Sequence, residues 1–446
     1  MNRILRLTLC TLLTLTLAAC SKDDEEAVDY TQKRVVLVYM VAENNDLDEY
    51  SDTNFNEIVA GSKSLSKNTE IVCYIDNSYR NPTIKKVVKG NATTQYQYSG
   101  LVNSVDPEKM REVLQKMITD NPAGEYSLVM WGHGTGSLFS EDTIATTATR
   151  AYGCEYIGKT YKWINTPAMA QVFKNLRTSQ GETVNFKVLL FDCCLMQNVE
   201  VAYELRDAAQ YIVASPSESP ARGAPYATML PAFEQSAETA ARQLVGYIGD
   251  YDYSSIKISG TCVSAIKTSE LEGFLQATRE ALLSINNGTS PLQLSTTPFI
   301  KDSISFDYGD NISDCLYYAK MKDNLSLDDM GWGKYNVMYD MKDIMRSNLT
   351  LAEYYKWLAA LERLVIERRR AKDIRDIEQS GFVPWASGCI QNNAWHSFYL
   401  CDETYGGISM LFPSATYAST SPNFNKVGFK SEWWNKVGWK ELGWQE

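Results

Sequence analysis

The chain has 446 residues, 44% hydrophobic and 22% charged, an ordinary globular composition that fits neither a disordered chain nor a polytopic membrane protein. Its formal net charge of −11 offers no basic footprint for nucleic acid, but it favours solubility and attracts cationic substrates.

Residues 1–19 read as a targeting segment. Arg3 and Arg6 precede an apolar run from Leu7 to Leu17, which is too short to span a membrane in its own right. Leu17-Ala-Ala-Cys20 resembles a bacterial lipobox, with Cys20 as the acylated residue; a plain secretory signal peptide is the other reading. Residues 20–32 then form an acidic tether opened by Ser21-Lys-Asp-Asp-Glu-Glu26, a charge run that is at least a solvated spacer. An acidic cluster directly after a lipidated cysteine also resembles the surface-export signal of Bacteroidetes lipoproteins. The expectation is a cell-envelope protein anchored through Cys20, in the outer membrane and exposed at the surface.

From residue 33 to 250 the pattern alternates between strand and helix, as in a catalytic core. Val35–Val41, Glu70–Ile75, Ser127–Trp131, Lys187–Phe191 and Tyr211–Ala214 are apolar runs of strand length. Asp106 as N-cap, Pro107 at the first position and Met110, Val113, Leu114 and Met117 on one face predict a helix between the second and third. Such alternation argues an α/β fold with a mostly parallel sheet covered by helices on both faces.

Two of these strands end in chemistry. Lys187–Phe191 runs through Asp192 into Cys193 and Cys194, after which Met196, Val199 and Tyr203 take helical spacing. A cysteine at a strand-to-helix corner gains from the helix N-terminus, whose amides and partial charge lower a thiol pKa. Alternation puts Asp192 and Cys194 on one side and Cys193 on the other. Taken alone, the pair is equally well read as two small buried residues at a tight turn. The chain has only two histidines. His133 follows the strand Ser127–Trp131 within Gly132-His-Gly-Thr-Gly136, and ligands in open α/β sheets bind beyond the carboxyl ends of strands. The glycines would let substrate approach the backbone, and the amides of Gly134 and Cys194 would form an oxyanion hole. A hydrogen-bonded turn residue is the alternative for His133. His396, in Gln391-Asn-Asn-Ala-Trp-His396, has no apolar strand leading into it and reads as non-catalytic.

The pair Trp131-Gly-His-Gly-Thr-Gly136 and Asp192-Cys-Cys-Leu-Met196 resembles the His and Cys motifs of the clostripain family of cysteine peptidases, relatives of the caspases. The similarity extends to Val35–Leu47 and to Gly407–Pro413, and departs at Cys193, where the family more often has alanine. The resemblance implies a caspase-like αβα sandwich and a Cys194/His133 endopeptidase acting on proteins or peptides after Arg or Lys, with Asp192 at the base of the pocket for the basic side chain. An N-cap role for the next helix is the other reading of Asp192. Where the family often carries a further acidic residue, this chain has Gly223-Ala-Pro-Tyr226. The family is also commonly cut between the His and Cys strands. Here Ser137–Gly158 is polar and poor in apolar periodicity, and Arg150, followed by Lys159, is the candidate site.

Residues 251–446 read as a less regular C-terminal α+β region, packed on the core or completing it. Thr261–Ile266 and Val337–Tyr339 are strand-like, and Thr350-Leu-Ala-Glu353 is a capping box opening a helix whose stripe is Leu351, Tyr354, Leu358, Leu361 and Val365. Arg368-Arg-Arg370 reads as the solvated end of that helix, and Trp433, Trp434, Trp439 and Trp444 as packing surface. Of ten cysteines, setting aside Cys10, Cys20 and Cys194 leaves seven with irregular spacing, which argues against a disulfide framework; no Cys/His cluster has zinc spacing. No cofactor is expected and the chain is taken as a monomer; a calcium requirement is not legible in it. A surface lipoprotein that binds peptides or glycans without chemistry is the second reading.

Overall fold

The computed structural model describes residues 30–43, 47–137, 152–157, 160–252, 261–285, 317–321, 335–370, 405–411 and 428–442. Its strands are β1 (Arg34–Val41), β2 (Thr69–Asn77), β3 (Arg80–Val88), β4 (Asn91–Gln97), β5 (Glu125–Trp131), β6 (Tyr152–Ile157), β7 (Thr160–Ile164), β8 (Phe186–Asp192), β9 (Ala209–Ala214), β10 (Val263–Lys267), β11 (Tyr317–Met321), β12 (Tyr335–Asp340), β13 (Val365–Arg369) and β14 (Ser409–Met410). The helices are α1 (Asp48–Gly61), α2 (Pro107–Asp120), α3 (Thr166–Lys174), α4 (Val199–Glu204), α5 (Tyr226–Met229), α6 (Ala237–Gly249), α7 (Leu271–Ile285), α8 (Met341–Asn348), α9 (Leu351–Leu364) and α10 (Glu432–Lys436).

The expected α/β architecture forms. A nine-stranded sheet runs β13-β10-β9-β8-β5-β1-β2-β3-β4. Its five middle strands are parallel. Both flanks are antiparallel. Alternation explains why the middle strands are apolar throughout: Val35, Leu37, Tyr39 and Val41 of β1 enter one core, Val36, Val38 and Met40 the other. Helices α2, α3, α4, α7 and α9 cover the first face, while α1, α5 and α6 cover the second. In α2, Asp106 accepts from Lys109 N at 3.0 Å, and Met110, Val113, Leu114 and Met117 are all buried. Each such side chain contributes about 1.5–3 kcal/mol.

Several local expectations are corrected. The hairpin β3–β4 was not anticipated, because Asn91–Gln97 is a polar, largely exposed edge strand with no apolar run. The capping box at Thr350 forms, but its helix ends at Leu364 and Leu351 is 69% exposed, the buried face being Tyr354, Trp357, Ala360, Leu361 and Leu364. Val365 instead opens β13, so Arg368 and Arg369 lie on a strand beside β10 rather than at a helix end. Part of the polar stretch Ser137–Gly158 is also strand. In it, β6 pairs with β7 and is tied down across the sheet end. The Tyr152 hydroxyl lies 2.8 Å from the Trp131 carbonyl and 2.9 Å from that of Tyr39, and the Glu155 carboxyl accepts from Ser104 N at 2.8 Å. Burial pushes the carboxyls of Glu155 and of its neighbour Asp76 above their usual range, and Asp76 adds to the rise at Glu155, which favours a neutral Glu155 here.

Candidate active site

The parallel pairing of β5 and β8 aligns Trp131 with Asp192. His133 and Cys194 each lie two residues beyond that aligned pair, so register alone brings the two motifs to neighbouring positions at the sheet's carboxyl end. The loops touch. A Cβ on Gly134 would overlap the Cys194 carbonyl oxygen, and one on Gly136 would lie 2.7 Å from that of Leu195. These glycines therefore serve the close approach of one loop to the other. The His133 carbonyl accepts from Gly153 N at 2.9 Å, and Gly134 forms a bridge with Tyr152. Trp163 of β7 stands with its ring 6.3 Å from the imidazole, centroid to centroid.

The corner after β8 differs from expectation in one respect. Helix α4 starts only at Val199, and its N-cap is Asn198, whose side chain accepts from Val201 N. Cys194 is thus not at a helix N-terminus, and Asp192 caps no helix. Leu195 takes a left-handed conformation (φ 64), and Leu195 N and Gln197 N donate to the carbonyls of Ser217 and Ser215 at 2.8 and 2.9 Å. That pairing, with the turn at Cys194 and Leu195, stands where helical spacing had been read. The Cys194 thiol is half-buried and accepts from Ser219 N at 3.3 Å, so a loop amide takes the place assigned to the helix dipole. Cys193 is 3% exposed, and burial, with Cys194 and Asp192 beside it, pushes its thiol well up.

Asp192 is half-buried as a residue, and its carboxyl is held by three hydrogen bonds. Ala224 N donates to both oxygens at 3.1 and 3.0 Å, and the Tyr226 hydroxyl donates to Oδ2 at 2.7 Å. Burial raises its pKa to about 6 against these hydrogen bonds, and Glu57 adds to the rise. Gly223 is required beside it: at φ +73, a Cβ would lie 2.6 Å from Asn54 Oδ1 and 2.9 Å from Asp192 Oδ2. Asp192, Ser219, Pro220, Gly223, Thr261 and Cys262 line a cavity of about 10 Å³, room for one water. Arg150, Lys159, Cys20 and His396 lie outside the described residues. Among those described, no group of three or more His, Cys, Asp or Glu is placed to hold a metal ion.

The model of the clostripain family matches residues 38–374. The chain belongs to this family of cysteine proteases. The match contains both strand ends and the loops that meet there, so this clostripain-family chain is a hydrolase. Its fold is similar to a secreted C11 cysteine protease from Bacteroides thetaiotaomicron in complex with an irreversible peptide inhibitor (22% identity, 91% of this chain and 99% of that one, TM-score 0.64). It is also similar to an inactive zymogen C11 protease from Parabacteroides distasonis (22% identity, 91% and 97%, TM-score 0.63). No match was found among curated proteins. Sequence reasoning missed Ser219, Tyr152 and Trp163, whose places around the site depend on long-range pairing. Tyr226 was in view as part of Gly223-Ala-Pro-Tyr226, and a buried phenol so close to a strand-end aspartate was the available signal.

Proposed function

We propose that this clostripain-family enzyme is an endopeptidase cleaving after Arg or Lys, with Cys194 as nucleophile and His133 as its base. The aligned ends of β5 and β8 are the observation that carries the reading. In it, His133 takes the thiol proton, the thiolate attacks the scissile carbonyl, and the imidazolium then protonates the leaving amine. The amides of Gly134 and Cys194 receive the oxyanion. Water then hydrolyses the acyl-enzyme. Among the described residues the enclosed carboxylate of Asp192 has an amide and a phenol as partners but no cation, and a basic substrate side chain supplies one. A panel of fluorogenic peptides tests the specificity: faster cleavage after a neutral residue than after Arg or Lys overturns it.

The reading includes activation by cleavage at Arg150, with Lys159 as the next candidate. Two features support it. The cavity beside Asp192, at about 10 Å³, is smaller than an Arg or Lys side chain, and Tyr152, two residues past Arg150, is tied to the His133 loop. Purified wild type is expected to convert to two fragments joined at about Arg150. Cys194→Ala should stay whole, and Arg150→Ala should slow both conversion and the rise of activity. Full activity of a protein shown by mass spectrometry to be uncut sinks the activation step and leaves the peptidase standing.

Membrane anchoring through Cys20 is part of the same proposal and rests on Leu17-Ala-Ala-Cys20. Incorporation of a labelled fatty acid in cells, lost in Cys20→Ser, is the expected result; labelling that survives the substitution rules it out.

A further inference from the structure

The hairpin β6–β7 carries an aromatic row that starts at His133. Tyr161 and Trp163 are two residues apart on β7 and so share a face, and Tyr156 is the cross-strand partner of Tyr161. The Tyr156 and Tyr161 rings are 5.1 Å apart, and these side chains are 43% and 49% exposed. Trp163 continues the row to within 6.3 Å of the imidazole. The opposite face of the hairpin is committed to the fold: Tyr152 and Ile164 form a buried pair, and Glu155 is buried against Ser104. The outward row is therefore held on a fixed base.

Its side of the site is decided by the sheet. The cavity beside Asp192 is bounded by residues of β8, α6 and β10, of the loop after β9 and of the segment just before β10. The hairpin is tied to β5 and β1 through the Tyr152 hydroxyl, with Glu155 beside Asp76 at the end of β2 and Tyr156 N bonded to the Glu43 carbonyl at 3.0 Å. Strand order places β8 and β10 on one side of β5, and β1 and β2 on the other. His133 stands between them.

We infer that the row Trp163, Tyr161, Tyr156 is a subsite for the leaving side of a peptide substrate, selecting an aromatic or large apolar residue just after the scissile bond. This rests on the proposed peptidase reading. The acyl side of the substrate is fixed by the Asp192 cavity, and His133 must reach the leaving amine. The chain beyond that amine then continues past the imidazole, onto the face that begins with Trp163. Offset and edge-on ring contacts are the chemistry the row offers.

The test compares internally quenched peptides with Arg before the scissile bond and either Phe or Gly in the two positions after it, together with an Arg aminocoumarin amide. For the activated full chain, kcat/KM is expected to favour Phe by about fivefold. Tyr161→Ser and Trp163→Leu should each reduce that ratio to within about twofold, whereas Tyr96→Ser, an exposed aromatic on β4, should leave it at the wild-type value. A flat wild-type ratio, or one that survives both substitutions, overturns the subsite while hydrolysis of the amide preserves the peptidase reading. If neither the peptides nor the amide are cleaved, the peptidase reading falls and the subsite with it. Tyr161 is half-exposed, so its variant tests the row even where Trp163→Leu perturbs folding.

Discussion

Cys194→Ala is expected to lower kcat/KM by at least about four orders of magnitude, while Cys193→Ala keeps most of the activity. Both expectations rest on the direction of two adjacent side chains. Beyond β8 the Cys194 thiol is half-buried and faces the Ser219 amide, on the loop that carries Ala224 and leads into Tyr226 at the start of α5, the two partners of Asp192. Cys193 points the other way. Its sulfur sits beneath Gly134 within the first core, and burial holds it as a thiol, which is a poor nucleophile. Removing it costs a small packing defect, on the order of 1 kcal/mol. A thiol-reactive peptidyl probe gives the same contrast without turnover: it should label wild type and Cys193→Ala and spare Cys194→Ala. Labelling in the reverse order would show that the corner is turned the other way and that Cys193 is the nucleophile.

Asp192→Asn is expected to cost roughly 10²–10³ in kcat/KM for Arg substrates, the usual loss when one partner of a buried charge pair is removed, and to leave neutral substrates much less affected. The pH dependence follows from the same carboxyl. Burial disfavours its charged form and raises it from the ordinary carboxylate range to about 6, so in the free enzyme it is protonated below that pH. A raised carboxyl contributes stability that is present at low pH and is lost as pH rises through about 6; Asp192→Asn removes that loss and should raise the melting temperature slightly above this pH. A cationic substrate reverses the preference, because it pairs with the ionised form. Activity on Arg peptides should therefore carry an acid limb near pH 6 that neutral peptides lack and that disappears in Asp192→Asn. An unchanged preference for Arg in the variant would move the specificity to another group, with Glu57 the next carboxylate at hand.

Much of this was legible because buried parallel strands have a distinctive composition. Val35–Val41, Ser127–Trp131 and Lys187–Phe191 are continuous apolar runs for the reason that both faces of each are covered, and a run that stops at a polar residue marks the sheet's edge, where His133 and Cys194 were found. Helix α2 was equally plain, since Asp106, Pro107 and a single apolar face act within a few residues of one another. The limits came where a residue's role depends on distant chain. Met196, Val199 and Tyr203 have helical spacing, yet Leu195 and Gln197 pair with Ser217 and Ser215, so the helix starts late and the Cys194 thiol meets a loop amide instead of a helix end. Arg368 and Arg369 read as the end of a helix until β10 recruits them as a strand. Local periodicity and the choice of His and Cys at two strand ends are properties of the sequence itself. The closeness of those ends, the enclosure of Asp192 by Ala224 and Tyr226 and the aromatic row beside His133 are set by strand register and loop packing, because they join residues tens of positions apart whose pairing no local pattern encodes.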